Sequence, residues 1–283
     1  MLKKIVILLE MIKFEHTVFA LPFAFMGAFL SARGVPGPAT FAWIVLAMVG
    51  ARTCAMGFNR IVDRKFDAAN PRTASRALPA KTVKLSEAWV MVILAGAVFF
   101  FACYNLNQLT LTLSPFALAL TLFYSLTKRF TWLCHVFLGV ALAFSPLGGW
   151  VAVSGTLQNY PFVLSAGVLF WVAGFDTVYA CLDADFDAQS GLFSLPSRFG
   201  RRNAFRIAVL FHVIAFALFV LTGIIAGLNY FYYIGIIFTG AALFYQHIVV
   251  TPRDLSKIQL SFFTLNGLIS LTLFVATWLS LVV

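Results

Sequence analysis

The sequence predicts an all-α, polytopic membrane protein, and three observations carry the prediction. Of 283 residues, 61% are hydrophobic and only 11% charged, with a mean hydropathy of +0.94; soluble domains carry about a quarter of their residues as charges. The apolar residues fall into runs that approach the ~20 needed to cross a bilayer. The basic residues gather at alternate connections between these runs, as spanning helices require.

Nine spans follow in order, at roughly 15–32, 39–60, 87–105, 108–127, 131–153, 161–182, 205–227, 230–250 and 258–281. The opening Met1 to Lys13 is short, weakly amphipathic and basic, so the first run reads as retained rather than cleaved. Gly34-Val35-Pro36-Gly37-Pro38 turns the chain after the first span, and Asn159-Tyr160-Pro161 does so before the sixth. Two connections are long and polar, 60–86 and 183–203. With the N-terminus in the cytoplasm, Lys3, Lys4, Lys13 and every other basic residue except Arg33 fall on the inner side. The net charge of +10 is therefore a topology signal, which removes the nucleic-acid reading.

Cys54, Cys103, Cys134 and Cys181 lie singly in apolar segments and read as small core residues. His16, His135, His212 and His247 are scattered, and the adjacent Cys134-His135 cannot aim at one metal from one helix. A transition-metal site is not expected.

The acids are placed differently. Six of the ten lie in two regions: Asp63 and Asp67, then Asp176, Asp183, Asp185 and Asp187. Asn59, Asp63 and Asp67 are spaced i, i+4, i+8 where the second span ends, and Tyr179, Asp183 and Asp187 repeat the spacing where the sixth ends. On a helix that spacing stacks each set on one face. Both ends fall on the inner side, so the four aspartates can meet as a basket of hard oxygen ligands. Magnesium takes such ligands while keeping water and substrate phosphate in its shell. Ionisable groups at membrane depth default to function.

Cations follow the acids. Arg72 and Arg76 stand four apart just past Asp67, and Tyr124 and Lys128 share that spacing at the inner end of span four. Arginine offers phosphate a fork and lysine a point charge. Together they suit a diphosphate held by two magnesium ions. Arg129 reads as a plain interfacial anchor, and Asp185, turned off the Asp183–Asp187 face, as solvated or supporting. Asp176 lies one heptad before Asp183, on the same face and deeper, where it would orient Tyr179 or a cation. Arg52 lies one heptad before Asn59, about 10 Å deeper. A buried arginine needs an anion, either Asp176 or a carboxylate on an organic substrate.

These residues resemble the UbiA superfamily of intramembrane prenyltransferases. The resemblance rests on Asn59-x3-Asp63-x3-Asp67, Tyr179-x3-Asp183-x3-Asp187, Tyr124-x3-Lys128 and the loop Pro71-Arg72-Thr73…Arg76-x2-Pro79. It covers the whole chain as one domain, 1–283. It implies nine transmembrane helices around a central cavity open sideways to lipid, with a cytoplasmic cap. It also implies a polyprenyl diphosphate donor, two magnesium ions held by Asn59, Asp63, Asp67, Asp183 and Asp187, and no protein partner. Arg52, Arg72, Arg76, Tyr124 and Lys128 match positions the family uses for acceptor or diphosphate. Phe175-Asp176-Thr177-x-Tyr179-Ala180 and Asp63-Arg64-Lys65-Phe66-Asp67 are similar to bacterial 4-hydroxybenzoate polyprenyltransferases of the inner membrane, which serve ubiquinone synthesis. Arg60 departs from the Asn-Asp of better-known members. The opening Ile12-Lys13-Phe14-Glu15-His16-Thr17-Val18-Phe19-Ala20-Leu21-Pro22 resembles a branch associated with 1,4-dihydroxy-6-naphthoate and menaquinone. Two other classes use intramembrane acids. An ion-coupled transporter would place them at the midplane, and a CDP-alcohol phosphotransferase would show an Asp-Gly…Ala-Arg signature that is missing here.

Overall fold

Long apolar helices account for most of the described chain. The structure, a computed structural model, describes residues 7, 8, 10–12, 19–157 and 160–283. Lys3, Lys4, Lys13, His16, most of the opening motif and Asn159 lie outside the described residues. In order come α1 (Leu21–Ala32), α2 (Pro38–Ala69), α3 (Leu85–Tyr104), α4 (Gln108–Thr127), α5 (Cys134–Ser154) and α6 (Tyr160–Tyr179). A 3-10 turn (Ala180–Leu182) leads to the short α7 (Ala184–Gln189), then α8 (Leu195–Ala226) and α9 (Tyr230–Val249). A π-helical turn (Leu260–Leu265) opens α10 (Asn266–Val282). Among the described residues, eight helices are long and apolar enough to span a membrane, and Leu21–Ala32 is a shorter apolar helix. The protein is an all-α, multi-pass membrane protein.

Local chemistry sets the boundaries. Pro38 starts α2 at the position where a missing N–H costs nothing. Asn107 caps α4 by accepting from Thr110 N–H at 2.9 Å, and its Nδ2 donates to Val151 O at 2.7 Å, tying α4 to the far end of α5. Ser194 caps α8 by accepting from Ser197 N–H, and α8 breaks at Gly200, whose φ of 77° no helix continues through. The sequence starts the seventh span at 205, within the segment that runs on beyond this break to Ala226, because the polar, arginine-rich stretch before it lowers the hydropathy.

Small residues allow the tightest crossings. A Cβ on Gly27 would lie 1.9 Å from Pro146 O, and one on Gly149 would lie 1.9 Å from Ala24 O. The α1 and α5 backbones thus touch, the contact that packs helices where lipid removes the hydrophobic drive. Beneath them Phe23, Trp171 and Phe219 are fully buried, with Phe23 and Trp171 rings 5.1 Å apart. Exposed apolar side chains such as Ile93, Phe116, Ile237 and Phe244 cover the outside, as a lipid-facing surface requires.

Candidate active site

The second span does not stop at 60. α2 continues unbroken through Ala69, so Asn59, Asp63 and Asp67 do share one helical face. Asn59 Nδ2 donates to Asp63 Oδ2 at 2.9 Å. Asp63 Oδ1 accepts from Arg129 at 2.8 Å, and the same guanidinium donates to Val62 O and Ser125 O. Asp67 Oδ1 accepts from Arg76 at 2.7 Å, while its buried Oδ2 has no hydrogen-bond partner.

The second acidic end is built otherwise, and here the helical expectation fails. α6 ends at Tyr179, and Asp183 sits between the 3-10 turn and α7. Tyr179, Asp183 and Asp187 therefore do not stack on one α-helical face. Arg72 grips both oxygens of Asp183, with Nε 2.9 Å from Oδ1 and the Nη2 contact completing the fork. Asn70, the C-cap of α2, donates to the same Oδ1 at 2.9 Å and accepts from Arg72 N–H. Arg72 also reaches the Tyr179 hydroxyl at 3.4 Å and lies 5.6 Å from the centre of its ring. Asp187 is fully buried, with Lys128 Nζ 2.7 Å from Oδ1. Neither Asp187 oxygen has an aligned hydrogen bond, so this contact is a charge pair.

Electrostatics separate these two acids. Burial pushes the Asp187 carboxyl above its ordinary pKa despite the nearby Lys128 ammonium. Burial pushes Asp183 the same way, but the Arg72 fork and the Asn70 amide outweigh it and its pKa falls below the ordinary value. Lys128 is raised, because the Asp187 carboxylate outweighs the cost of burying its charge.

The four carboxylates are thus each paired with one cation, and the pairing is crossed. The 70–84 connection supplies Arg76 to the first tip and Arg72 to the second. The α4–α5 connection supplies Arg129 to the first and Lys128 to the second. Arg129 is therefore part of the constellation and not a plain anchor. Adjacent residues point about 100° apart, which is what lets this pair divide between two tips; that was the signal available in the sequence. Asn70 was also missed, as was His135.

His135 Nδ1 lies 2.6 Å from Asp176 Oδ2, and its Nε2 accepts from Leu195 N–H at 3.3 Å. The partner of Asp176 is this histidine, which scattered spacing could not show. Asp185 is 81% exposed and pairs with Arg201, so it is solvated. Arg60 is buried and donates to Met11 O at 3.0 Å. Arg52, Asn59 and Tyr124 line one cavity of about 370 Å³ with Thr110, Ser114 and Ser145. Phe116, Leu120, Leu157 and Phe162 border it and are exposed on the outer face, so it opens sideways.

No three His, Cys, Asp or Glu side chains among the described residues converge closely enough to hold a metal by themselves. The donor set nevertheless fits magnesium, which is held through one or two carboxylates with phosphate oxygens completing its shell. The buried Asp67 Oδ2, which lacks a hydrogen-bond partner, is available for it.

A multi-pass helical protein with two acidic tips whose carboxylates are each paired with a cation, and with a lateral apolar cavity, is the class that fold and site define. The UbiA prenyltransferase family matches residues 20–268. The 4-hydroxybenzoate octaprenyltransferase of Shewanella woodyi is 32% identical over 252 residues, 89% of this chain and 87% of that one. An apo UbiA homologue from Aeropyrum pernix K1 is 35% identical, covers 93% of this chain and 96% of its own, and superposes with a TM-score of 0.85. A UbiA homologue from Archaeoglobus fulgidus bound to GPP and Mg2+ shares the fold at 17% identity, covering 98% of this chain and 100% of its own, with a TM-score of 0.76. The chain belongs to the UbiA prenyltransferase family and is a prenyltransferase, which sets aside the transporter and phosphotransferase alternatives.

Proposed function

We propose that this protein, acting as one domain over 1–283, transfers a polyprenyl group from polyprenyl diphosphate to 4-hydroxybenzoate in quinone biosynthesis. The observation that carries the reading is the crossed pairing of the four motif carboxylates with Arg72, Arg76, Lys128 and Arg129. The names of the curated relatives support the acceptor, and the GPP and Mg2+ bound by the Archaeoglobus homologue support the donor and the metal.

Asn59, Asp63, Asp67, Asp183 and Asp187 would hold two magnesium ions. When bound, these would supply Lewis acidity to the leaving diphosphate. Carboxylates and cations cancel one another in the arrangement described. A diphosphate of about −3 and two magnesium ions add little net charge on entering together, as a partly dehydrated site requires. The cations then pass from carboxylate to diphosphate oxygens and stabilise the charge that develops there. The allylic C–O bond breaks with its electron pair on the diphosphate oxygen, and the apolar cavity shelters the carbocation from water. Arg52 holds the acceptor carboxylate, and Tyr124 and Asn59 line the same space. The ring carbon beside the hydroxyl attacks, and the ring then loses its proton. Asp176 supports this side of the site through His135.

The same reading places the protein in a bacterial inner membrane, with the N-terminus and site cytoplasmic and the two polar connections forming a cap. The test is to incubate membranes with one polyprenyl diphosphate and a panel of aromatic acids, and to identify products by mass. Prenylated 4-hydroxybenzoate is expected. Prenylation of 1,4-dihydroxy-6-naphthoate alone would move the protein to menaquinone synthesis, and failure with every acid would overturn the acceptor class.

A further inference from the structure

Beside Tyr179 the bundle contains a feature the site does not explain. α10 does not begin as a regular helix; a π-helical turn over Leu260–Leu265 precedes it. One extra residue in a turn rotates the preceding face by about 100°, at a cost in backbone geometry that proteins tend to retain near functional sites. Here the turn is held from below by buried amides. Gln246 Nε2 donates to Ser261 O at 3.1 Å and to Asn266 Oδ1 at 2.8 Å. Trp171 Nε1 donates to the same Asn266 oxygen at 3.1 Å, and Asn266 Nδ2 returns to Phe262 O at 3.1 Å. Gln246, Asn266 and Trp171 are 3%, 0% and 0% exposed, so in a membrane these bonds have no water to replace them.

The network presents Phe262. Its ring lies 4.2 Å from that of Tyr179, tilted by 34°. Phe19 and Phe175 brace it edge-on at 5.7 and 5.3 Å. The Tyr179 ring centre also lies 5.6 Å from the Arg72 guanidinium, which forks Asp183. An unbroken chain of contacts therefore runs from Asn266 through Phe262 and Tyr179 to the guanidinium at the second acidic tip.

We propose that Phe262, set by the π-helical turn, is a positioning residue that holds Tyr179 and Arg72 in the geometry that receives the diphosphate. The proposal rests on the functional reading above. Its role is confined to the donor side, because Phe262 does not line the cavity that contains Arg52. Phe262 acts through Tyr179 and touches neither substrate.

The test uses the full-length protein with Phe262→Ala, Phe262→Leu and Phe262→Tyr. Geranyl diphosphate and 4-hydroxybenzoate are the substrates, and inorganic pyrophosphate with magnesium is the binding probe in calorimetry. Phe262→Ala should raise the KM for geranyl diphosphate and the Kd for pyrophosphate by about five- to tenfold, the scale of one aromatic and one cation–π contact. The KM for the aromatic acid should stay within about twofold, and Phe262→Tyr should behave as wild type. Combined with Arg72→Ala, Phe262→Ala should add less than about twofold, since both act through one arm. If Phe262→Ala does not fold, Phe262→Leu keeps apolar volume without the ring face and reads the same donor-side loss. Unchanged pyrophosphate binding, an equal rise in both KM values, or full additivity with Arg72→Ala would overturn the proposal. If no aromatic acid is prenylated, the acceptor reading fails while the pyrophosphate titration still decides this one.

Discussion

The two acidic tips carry the same sequence spacing and are built in different ways. At the first, a single helix continues to Ala69 and presents Asn59, Asp63 and Asp67 from a regular face. At the second, the helix stops at Tyr179, and Asp183 and Asp187 come from a turn and a six-residue helix. Charge is nevertheless matched: each tip has two motif carboxylates, and each of these has one cation. Regular backbone is therefore not what makes the tips equivalent. The equivalence comes from two connections, each of which divides its cations between both tips.

The comparison breaks most readily at the carboxylates. Asp63→Ala and Asp183→Ala should each lower kcat by more than about 100-fold while the protein stays folded, since a group that stabilises developing charge is worth that much. Near-normal turnover in either variant would mean that its tip takes no part. The cations give the next largest effect. Arg129→Ala and Lys128→Ala should each reduce kcat/KM for the donor by about 10- to 100-fold, because each is the partner of one buried or half-buried acid. A wild-type donor KM in Arg129→Ala would restore the anchor reading of that residue.

Arg52→Ala sharpens the comparison by standing outside it. It should raise the KM for the aromatic acid by roughly tenfold or more, the worth of one charge-assisted hydrogen bond, and leave the donor KM alone. Asn70→Ala should have a smaller effect. It removes the amide that joins the end of α2 to Asp183, costing about 1 kcal/mol in thermal unfolding with a modest rise in donor KM. The smallest effect is an order of protonation in the metal-free protein. Asp187, raised by burial, should take up its proton at higher pH than Asp183, lowered by Arg72. The stability that Asp183 contributes is present above its unfolded pKa and is lost as pH falls through its lower folded value. Asp187 carries the opposite sign: its ionised form costs stability at neutral pH, and protonation relieves that cost first. Carboxyl signals resolved by carbon NMR would show the order.

Much of this was legible in the sequence, and what was not has physical causes. Span 108–127 matches α4 residue for residue, because Asn107 and Lys128 bound an uncharged, mainly apolar run. The extension of α2 past 60 is invisible to hydropathy, which charged residues lower without lowering helix propensity, but the i, i+4, i+8 spacing of Asn59, Asp63 and Asp67 anticipates it. The break after Tyr179 was hidden too, since Ala180-Cys181-Leu182 contains no glycine or proline to mark it. Arg129 and His135 were missed because their partners, Asp63 and Asp176, are distant in sequence. The π-helical turn has no compositional signature, and its amide network joins residues from three helices that the sequence keeps apart.

The central claim is that the two tips grip one diphosphate together. Its most direct measurement is calorimetric titration of geranyl diphosphate into purified protein with and without magnesium, for wild type, Asp63→Asn and Asp183→Asn. Binding that requires magnesium and is lost in both variants is the predicted result. Wild-type affinity in either variant, or binding indifferent to the metal, would contradict it.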